Sequence, residues 1–121
     1  MRVLIVGAAA TFLLSAGWAF AAPGGRLAPK DIQSTFFTGQ AFTAATPSNV
    51  KFKMVFTDDG KMTREPLSKT GARSEGTWKL SQDGFCTTWK GSKENCFRVQ
   101  ASGNNKWSII AGTTAVAYWS K

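Results

Sequence analysis

The chain of 121 residues contains no histidine, only two cysteines, and seven acidic residues against 15 lysines and arginines. The absence of histidine excludes Ser-His-Asp and Cys-His catalysis and every histidine-based metal site. Two cysteines cannot supply the four thiolates of a structural zinc site. We therefore expect a protein with no enzymatic activity and no metal or other cofactor.

The few acidic residues do not form a recognisable catalytic or metal-binding pattern. Asp58-Asp59-Gly60 begins like a calcium loop but lacks further oxygen ligands at fixed spacing, so we interpret it as a hairpin turn. A glycosidase needs two carboxyl groups facing one cleft. The sequence does not indicate such a pair among the remaining acids, which are Asp31, Glu65, Glu75, Asp83 and Glu94.

The N-terminus has the pattern of a secretory signal peptide. Met1-Arg2 is a short positive segment, residues 3–20 are uncharged and apolar, and Ala19-Phe20-Ala21 offers the small-x-small motif of a cleavage site. Cleavage after Ala21 predicts a periplasmic or secreted protein with no stable membrane span. The alternative is an uncleaved membrane anchor, since the apolar segment approaches spanning length.

Cleavage divides the chain into a signal peptide (1–21), a flexible N-terminal segment (22–28) and a single β-domain (29–121). Cys86 and Cys96 are the only cysteines. The export signal places them where disulfides persist, and small exported domains often depend on such a bridge. We therefore predict a Cys86–Cys96 disulfide. It pairs residue 87 with 95 and 88 with 94, and leaves residues 90–92 as the turn.

The spacing of turn residues predicts a short helix followed by an antiparallel all-β meander. Residues 29–37 predict the helix, with an apolar face formed by Ile32 and Phe36. Residues 50–56 predict the clearest strand, since apolar residues alternate there with Lys51 and Lys53. Pro66 places residues 61–67 at a sheet edge, and residues 68–75 read as a polar loop. Further strands are predicted at residues 40–46, 77–80, 85–89, 96–100, 106–110 and 115–119.

Strands at this spacing close into a small barrel or a sandwich. The sequence does not choose between them. Four tryptophans follow the cleavage site, and in either fold they line a ligand cavity or only pack the core. These tryptophans are Trp78, Trp89, Trp107 and Trp119.

The excess of positive charge suggests a second candidate site. Seven basic residues lie in or near two predicted hairpins, and on one face they would attract an anionic component of the cell envelope. Spread evenly, they form a solvated surface. Export argues against a nucleic-acid partner. The seven residues are Lys51, Lys53, Lys61, Arg64, Lys90, Lys93 and Arg98.

Residues 76–99 carry a G-x-W, C-x-x-W, C-F-x-V pattern, seen in Gly76-Thr77-Trp78, in residues 86–89 and in residues 96–99. With this pattern, the chain resembles small exported alphaproteobacterial proteins grouped as domain of unknown function 995. The resemblance implies a periplasmic β-protein and assigns no activity to any residue. Residues 76–80 are also similar, more weakly, to a strand of secreted β-barrel inhibitors of bacterial metalloproteases.

These observations together predict an exported, non-enzymatic binding or structural module. It would recognise a small apolar ligand at an aromatic-lined barrel mouth, or an anionic envelope component at a basic hairpin face. The alternative is a secreted protease inhibitor that acts through residues 22–28 or through the hairpin at residues 90–95.

Overall fold

A computed structural model describes residues 25–68 and 71–121. The predicted signal peptide and residues 22–24 lie outside the described residues. The described chain forms one helix followed by eight strands. They are α1 (Pro29–Phe36), β1 (Phe42–Ala45), β2 (Lys51–Phe56), β3 (Lys61–Pro66), β4 (Ser74–Leu80), β5 (Phe85–Trp89), β6 (Glu94–Gly103), β7 (Lys106–Ala111) and β8 (Thr114–Ser120).

The eight strands form a closed antiparallel barrel in which each strand pairs with its neighbours in sequence. The barrel closes where β1 pairs with β8, with Ala44 opposite Trp119. This confirms the all-β prediction and decides between its two alternatives in favour of the barrel. Closure also leaves no unpaired sheet edge that could template aggregation.

Helix α1 forms where the sequence predicts it and covers one end of the barrel. Pro29 occupies the first turn, where its missing N–H costs nothing. Ile32 and Phe36 lie on one face of the helix and are fully buried. The ammonium group of Lys121 donates a hydrogen bond of 2.6 Å to the carbonyl oxygen of Thr35, which ties the C-terminus of the chain to the helix.

Strands β2 and β3 form the predicted hairpin, but β3 is not an edge strand. Gly60 takes a φ of 88° in the turn, a value that glycine adopts without strain. The edge prediction from Pro66 is wrong because β3 pairs with both β2 and β4. Proline is tolerated there because the β3–β4 ladder stops at Arg64 opposite Ser74, before Pro66 needs to donate a hydrogen bond.

Strand β4 begins at Ser74, whereas the sequence predicted a loop up to residue 75 and a strand from residue 77. Gly76, which resembles a loop signal, lies inside the strand. A Cβ atom there would lie 2.5 Å from the carbonyl oxygen of Thr88 and 2.8 Å from Cε of Met62. The glycine is therefore required by close packing within the sheet rather than by a turn.

The predicted disulfide and its register are both confirmed. Cys86 is bonded to Cys96, and Thr87 and Thr88 lie opposite Asn95 and Glu94. Gly91 takes a φ of 82° in the turn between β5 and β6. The bridge therefore joins neighbouring strands on the outer face of the barrel.

The antiparallel order gives the barrel two different ends. We call the end covered by α1 the closed end; it also carries the turns at residues 57–60, 81–84 and 104–105. We call the opposite end the open end; among the described residues it carries the connections at residues 46–50, 67–68 and 71–73, 90–93 and 112–113. No helix within the described residues is long and apolar enough to cross a membrane.

Candidate functional site

The interior of the barrel holds a cavity of about 190 Å³ in its open half. Its inner part is lined by Phe56, Phe85 and Trp119, which are at most 4% exposed. Its outer part is lined by half-buried side chains that include Phe52 and Trp89. The cavity therefore runs from an aromatic mouth down to a fully buried aromatic floor.

Strand alternation explains why Arg64 lies at this mouth. Met54 faces the core at 6% exposure, and Arg64 lies directly opposite it across the β2–β3 ladder. Residues opposite each other in an antiparallel pair project to the same face of the sheet. Arg64 therefore points inward, in phase with the buried Met62, and lines the cavity.

The guanidinium group of Arg64 lies against aromatic rings rather than against a carboxylate. Its central carbon is 4.4 Å from the ring centroid of Trp89 and 5.0 Å from that of Phe52. Both distances are typical of cation–π contacts. The ion pairs of the described residues join Lys53 to Glu65, Arg73 to Glu75 and Lys79 to Glu94, and none involves Arg64.

Aromatic side chains pack against one another in the closed half. Phe37 stacks on Phe56 with ring centroids 4.7 Å apart and contacts Trp78 at 4.3 Å. Phe36 meets Trp107 and Trp119 edge to face, each at 4.8 Å. These contacts leave the cavity confined to the open half of the barrel.

The four tryptophans predicted as ligand or core aromatics are therefore divided between the two halves. Trp78 and Trp107 pack around the helix, and the indole N–H of Trp78 donates a hydrogen bond of 2.7 Å to the carbonyl oxygen of Thr57. Trp119 contacts the helix and lines the cavity. Trp89 lies at the mouth.

The seven basic residues of the candidate basic face do not all share one face. Arg64 lines the mouth, Lys51 begins β2 at the open end, and Lys90 and Lys93 lie in the adjacent β5–β6 turn. Lys61 lies at the closed end, at the start of β3. The remaining two lie on the outer wall, where Lys53 pairs with Glu65 and Arg98 donates a hydrogen bond to the carbonyl oxygen of Gly112.

Acidic residues are neutralised at the open end and not at the closed end. Glu65, Glu75 and Glu94 each lie in an ion pair. Among the described residues, Lys51, Arg64, Lys90 and Lys93 have no such partner. The closed end instead carries four aspartates outside any of these pairs: Asp31, Asp58, Asp59 and Asp83. The closed end also has cations outside these pairs (Lys30, Lys61, Lys106 and Lys121), but its four aspartates offset them, so the open end is the more positive of the two.

Hydrophobic exposure is also concentrated at the open end. Val50, Leu67 and Val116 are 50%, 56% and 36% exposed, and all three lie in or beside the connections of that end. Val116 also lines the cavity. Tyr118, which is 45% exposed, is the other large exposed hydrophobic residue in the described part of the chain and lies on β8.

Three further features remain to be placed in the structure: the N-terminal segment, the hairpin at residues 90–95 and the group formed by Glu94 and the two cysteines. Residues 25–27 lie along β6, where the N–H of Leu27 donates to the carbonyl oxygen of Val99 at 2.9 Å. The hairpin at residues 90–95 forms part of the open end. Glu94 lies close to the sulfurs of Cys86 and Cys96, but these sulfurs are bonded to each other and are not thiolate ligands.

Comparisons with protein families, with curated proteins and with solved structures found no match for this chain. The two family resemblances of the sequence therefore stay predictions. The functional reading of the chain depends on the geometry of the barrel.

Sequence reasoning grouped Arg64 with the surface cations and missed its inward position. The signal was present in the hairpin itself. A turn at residues 57–60 pairs Phe56 with Met62, and the same register carries Met54 to Arg64. Alternation from Met62 then predicts that Arg64 faces the interior.

Proposed function

We propose that this chain is an exported, non-enzymatic binding module that takes up a small apolar ligand at the open end of its barrel. The observation that carries the proposal is the aromatic cavity of about 190 Å³ between the mouth and the buried floor. An apolar cavity of about 150 Å³ is large enough to hold benzene. The cavity therefore suits a single ring or a short alkyl chain.

The composition of the cavity wall supports binding rather than chemistry. Among its lining residues, Arg64 is the one charged side chain and Thr87 the one polar side chain that is fully buried. No carboxylate or thiol from the described residues lines the cavity. Binding through apolar contact with a few fixed polar groups is the usual design of a small-molecule site.

The surroundings of the mouth support uptake of a ligand from an apolar or anionic source. The aromatic mouth and the basic hairpin, which the sequence offered as alternatives, lie at the same end of the barrel. Lys90 follows Trp89 directly, and Lys93 ends the same β5–β6 connection. Exposed Val50 and Leu67 add aliphatic surface to that end.

Native mass spectrometry on protein recovered from the periplasm of an expressing bacterium tests this proposal. We expect a chain cleaved after Ala21, oxidised at its two cysteines, with a small-molecule adduct or the capacity to gain one when titrated with 1-octanol. Recovery of a chain that retains residues 1–21 would contradict the exported form of the proposal.

A cavity-filling variant locates the bound ligand. Ala117 lines the cavity, so Ala117→Leu should occupy part of its volume and weaken 1-octanol binding. Ala41 is exposed immediately before β1 at the closed end, and Ala41→Leu is the matched control that should bind like the wild type. Equal binding by both variants would show that the ligand lies elsewhere, and absence of binding in the wild type would refute the proposed function.

A further inference from the structure

We infer that the ligand of the open end is a small apolar carboxylate, an alkyl or aryl monoanion, whose carboxylate is held by Arg64 while its apolar part fills the cavity. This inference rests on the proposed function and specifies its ligand class.

Arg64 has no anionic partner among residues 25–68 and 71–121. Arg64 is half-buried as a residue, and in the described part of the chain its guanidinium group has cation–π contacts with two rings and neither a hydrogen bond nor an ion pair. Each glutamate at the open end is already paired with a different cation. Charged side chains withdrawn from water are normally paired, so a half-buried cation without a partner has room for a ligand anion.

Two aromatic rings hold the guanidinium group of Arg64 at the mouth of the cavity. It lies over the ring of Trp89 at 4.4 Å and over that of Phe52 at 5.0 Å, which fixes its position at the mouth. Neither ring contact is an N–H···O hydrogen bond, so the N–H donors of the guanidinium group stay available to a ligand. These donors form a fork that matches the two oxygens of a carboxylate.

The single positive charge in the described part of the cavity wall indicates that the ligand carries a single negative charge. Arg64 is the one cationic side chain that lines the cavity among the described residues, and the rest of the wall is mainly apolar. One fixed cation neutralises one anionic charge at the mouth, and the apolar wall does not solvate a second. Lys51, Lys90 and Lys93 lie outside the cavity on the same end, where they raise the local concentration of anions.

Three probes of equal chain length separate the head group from the apolar part. We expect octanoate to bind the mature wild-type protein at least about tenfold more tightly than 1-octanol, the range expected for a hydrogen-bonded charge. Octylammonium should bind more weakly than 1-octanol, because its charge has the same sign as Arg64. Isothermal titration calorimetry measures all three affinities.

Variants of Arg64 then identify the group responsible. Arg64→Met should lower octanoate affinity about tenfold and bring it close to the variant's own affinity for 1-octanol, so that the preference for the carboxylate is lost. Arg64→Lys keeps the charge without the fork and should bind octanoate with intermediate affinity. Lys61→Met is the charge-matched control, since Lys61 is exposed at the closed end, and should bind all three probes like the wild type.

The outcomes distinguish this inference from the function on which it rests. Equal wild-type affinity for octanoate and 1-octanol would overturn the carboxylate inference and leave the apolar binding site intact. High salt could abolish the preference for octanoate while Arg64→Met leaves that preference unaltered. This result would assign anion binding to Lys51, Lys90 and Lys93 and would also overturn the carboxylate inference. Binding of none of the probes would refute the proposed function itself. If Arg64→Met does not fold, the wild-type series and Arg64→Lys still decide.

Discussion

At the closed end of the barrel, Phe36 at the end of α1 and Phe37 directly after it each contact three other aromatic rings. At the open end, the rings of Phe52 and Trp89 meet a guanidinium group and an unfilled cavity. The same side-chain type therefore completes a core at one end and leaves a site at the other. Aromatic content alone does not distinguish a packed end from a binding end. The difference lies in whether another part of the chain covers the rings.

The two ends are also stabilised differently. The closed end depends on apolar packing of α1 and on the contact of Lys121 with Thr35. The open end has no helix over it in the described chain. The disulfide joins β5 to β6 beside Phe85, at the level of the cavity floor, and not at the mouth.

Truncating one ring at each end should give the largest contrast in stability. Phe37 is 1% exposed and touches three rings, so Phe37→Ala should lower the free energy of unfolding by about 3–5 kcal/mol. Phe52 is half-buried beside a cavity, and Phe52→Ala should cost clearly less. Urea unfolding followed by tryptophan fluorescence measures both. Equal losses would mean that the two ends are packed alike.

Removing the disulfide should have the next largest effect. The bridge closes a loop of 10 residues in sequence separation, and its loss should lower the free energy of unfolding by about 2–3 kcal/mol in the chain-entropy account. The double variant Cys86→Ala/Cys96→Ala is compared with wild type by urea unfolding. Reduction of the wild-type protein is the control and should reproduce the same loss. An unchanged midpoint would show that the bridge does not stabilise the barrel.

Two tryptophan variants isolate a single hydrogen bond. Trp78→Phe removes the indole donor to the carbonyl oxygen of Thr57 at the closed end and should cost about 1 kcal/mol of unfolding free energy. Trp89→Phe is the matched change at the open end, where the described residues offer the indole no hydrogen-bond acceptor, and should cost less. Thermal unfolding compares the stability of the two variants. A larger loss of stability from Trp89→Phe than from Trp78→Phe would contradict the stabilising role of the Trp78–Thr57 hydrogen bond.

The smallest effect concerns pH at the closed end. The hydroxyl of Thr57 donates a hydrogen bond to the carboxylate of Asp59, which holds the pKa of Asp59 below its ordinary value. Because this pKa is lower in the folded state than in the unfolded state, ionised Asp59 stabilises the folded protein at pH values above the ordinary aspartate pKa of about 3.9. That stabilisation is lost as the pH falls through the pKa of Asp59 in the folded state. NMR titration of the carboxyl carbon checks this direction. A pKa at or above the ordinary value would contradict it, and Asp59→Asn should remove the corresponding acid dependence.

The local elements of the fold are predictable from the sequence because each has a nearby physical cause. Pro29 and the spacing of Ile32 and Phe36 specify the helix, and alternation in residues 50–56 specifies β2. The two cysteines fix the β5–β6 register. The choice between a barrel and a sandwich was not predictable, since it depends on the pairing of β1 with β8 across the whole domain.

The candidate site was only partly predictable for the same reason. Its tryptophans and cations are visible as residue types, but their separation into two ends follows from the position of α1 against the barrel. Pro66 and Gly76 misled the sequence reading, because both are general signals of strand interruption. In this barrel Pro66 lies beyond the end of the β3–β4 ladder. Gly76 lies inside β4, where a side chain would collide with Thr88 and Met62.

The central claim is that ligands enter the open half of the barrel and not the closed half. The indole N–H signals of the tryptophans report on both halves in a single ¹⁵N-correlated NMR spectrum, with Trp78→Phe and Trp89→Phe supplying the assignments. Titration with octanoate should move the signals of Trp89 and Trp119, which line the cavity, and leave that of Trp78 in place. Movement of the Trp78 signal with Trp89 unchanged, or no movement of any signal, would contradict the account.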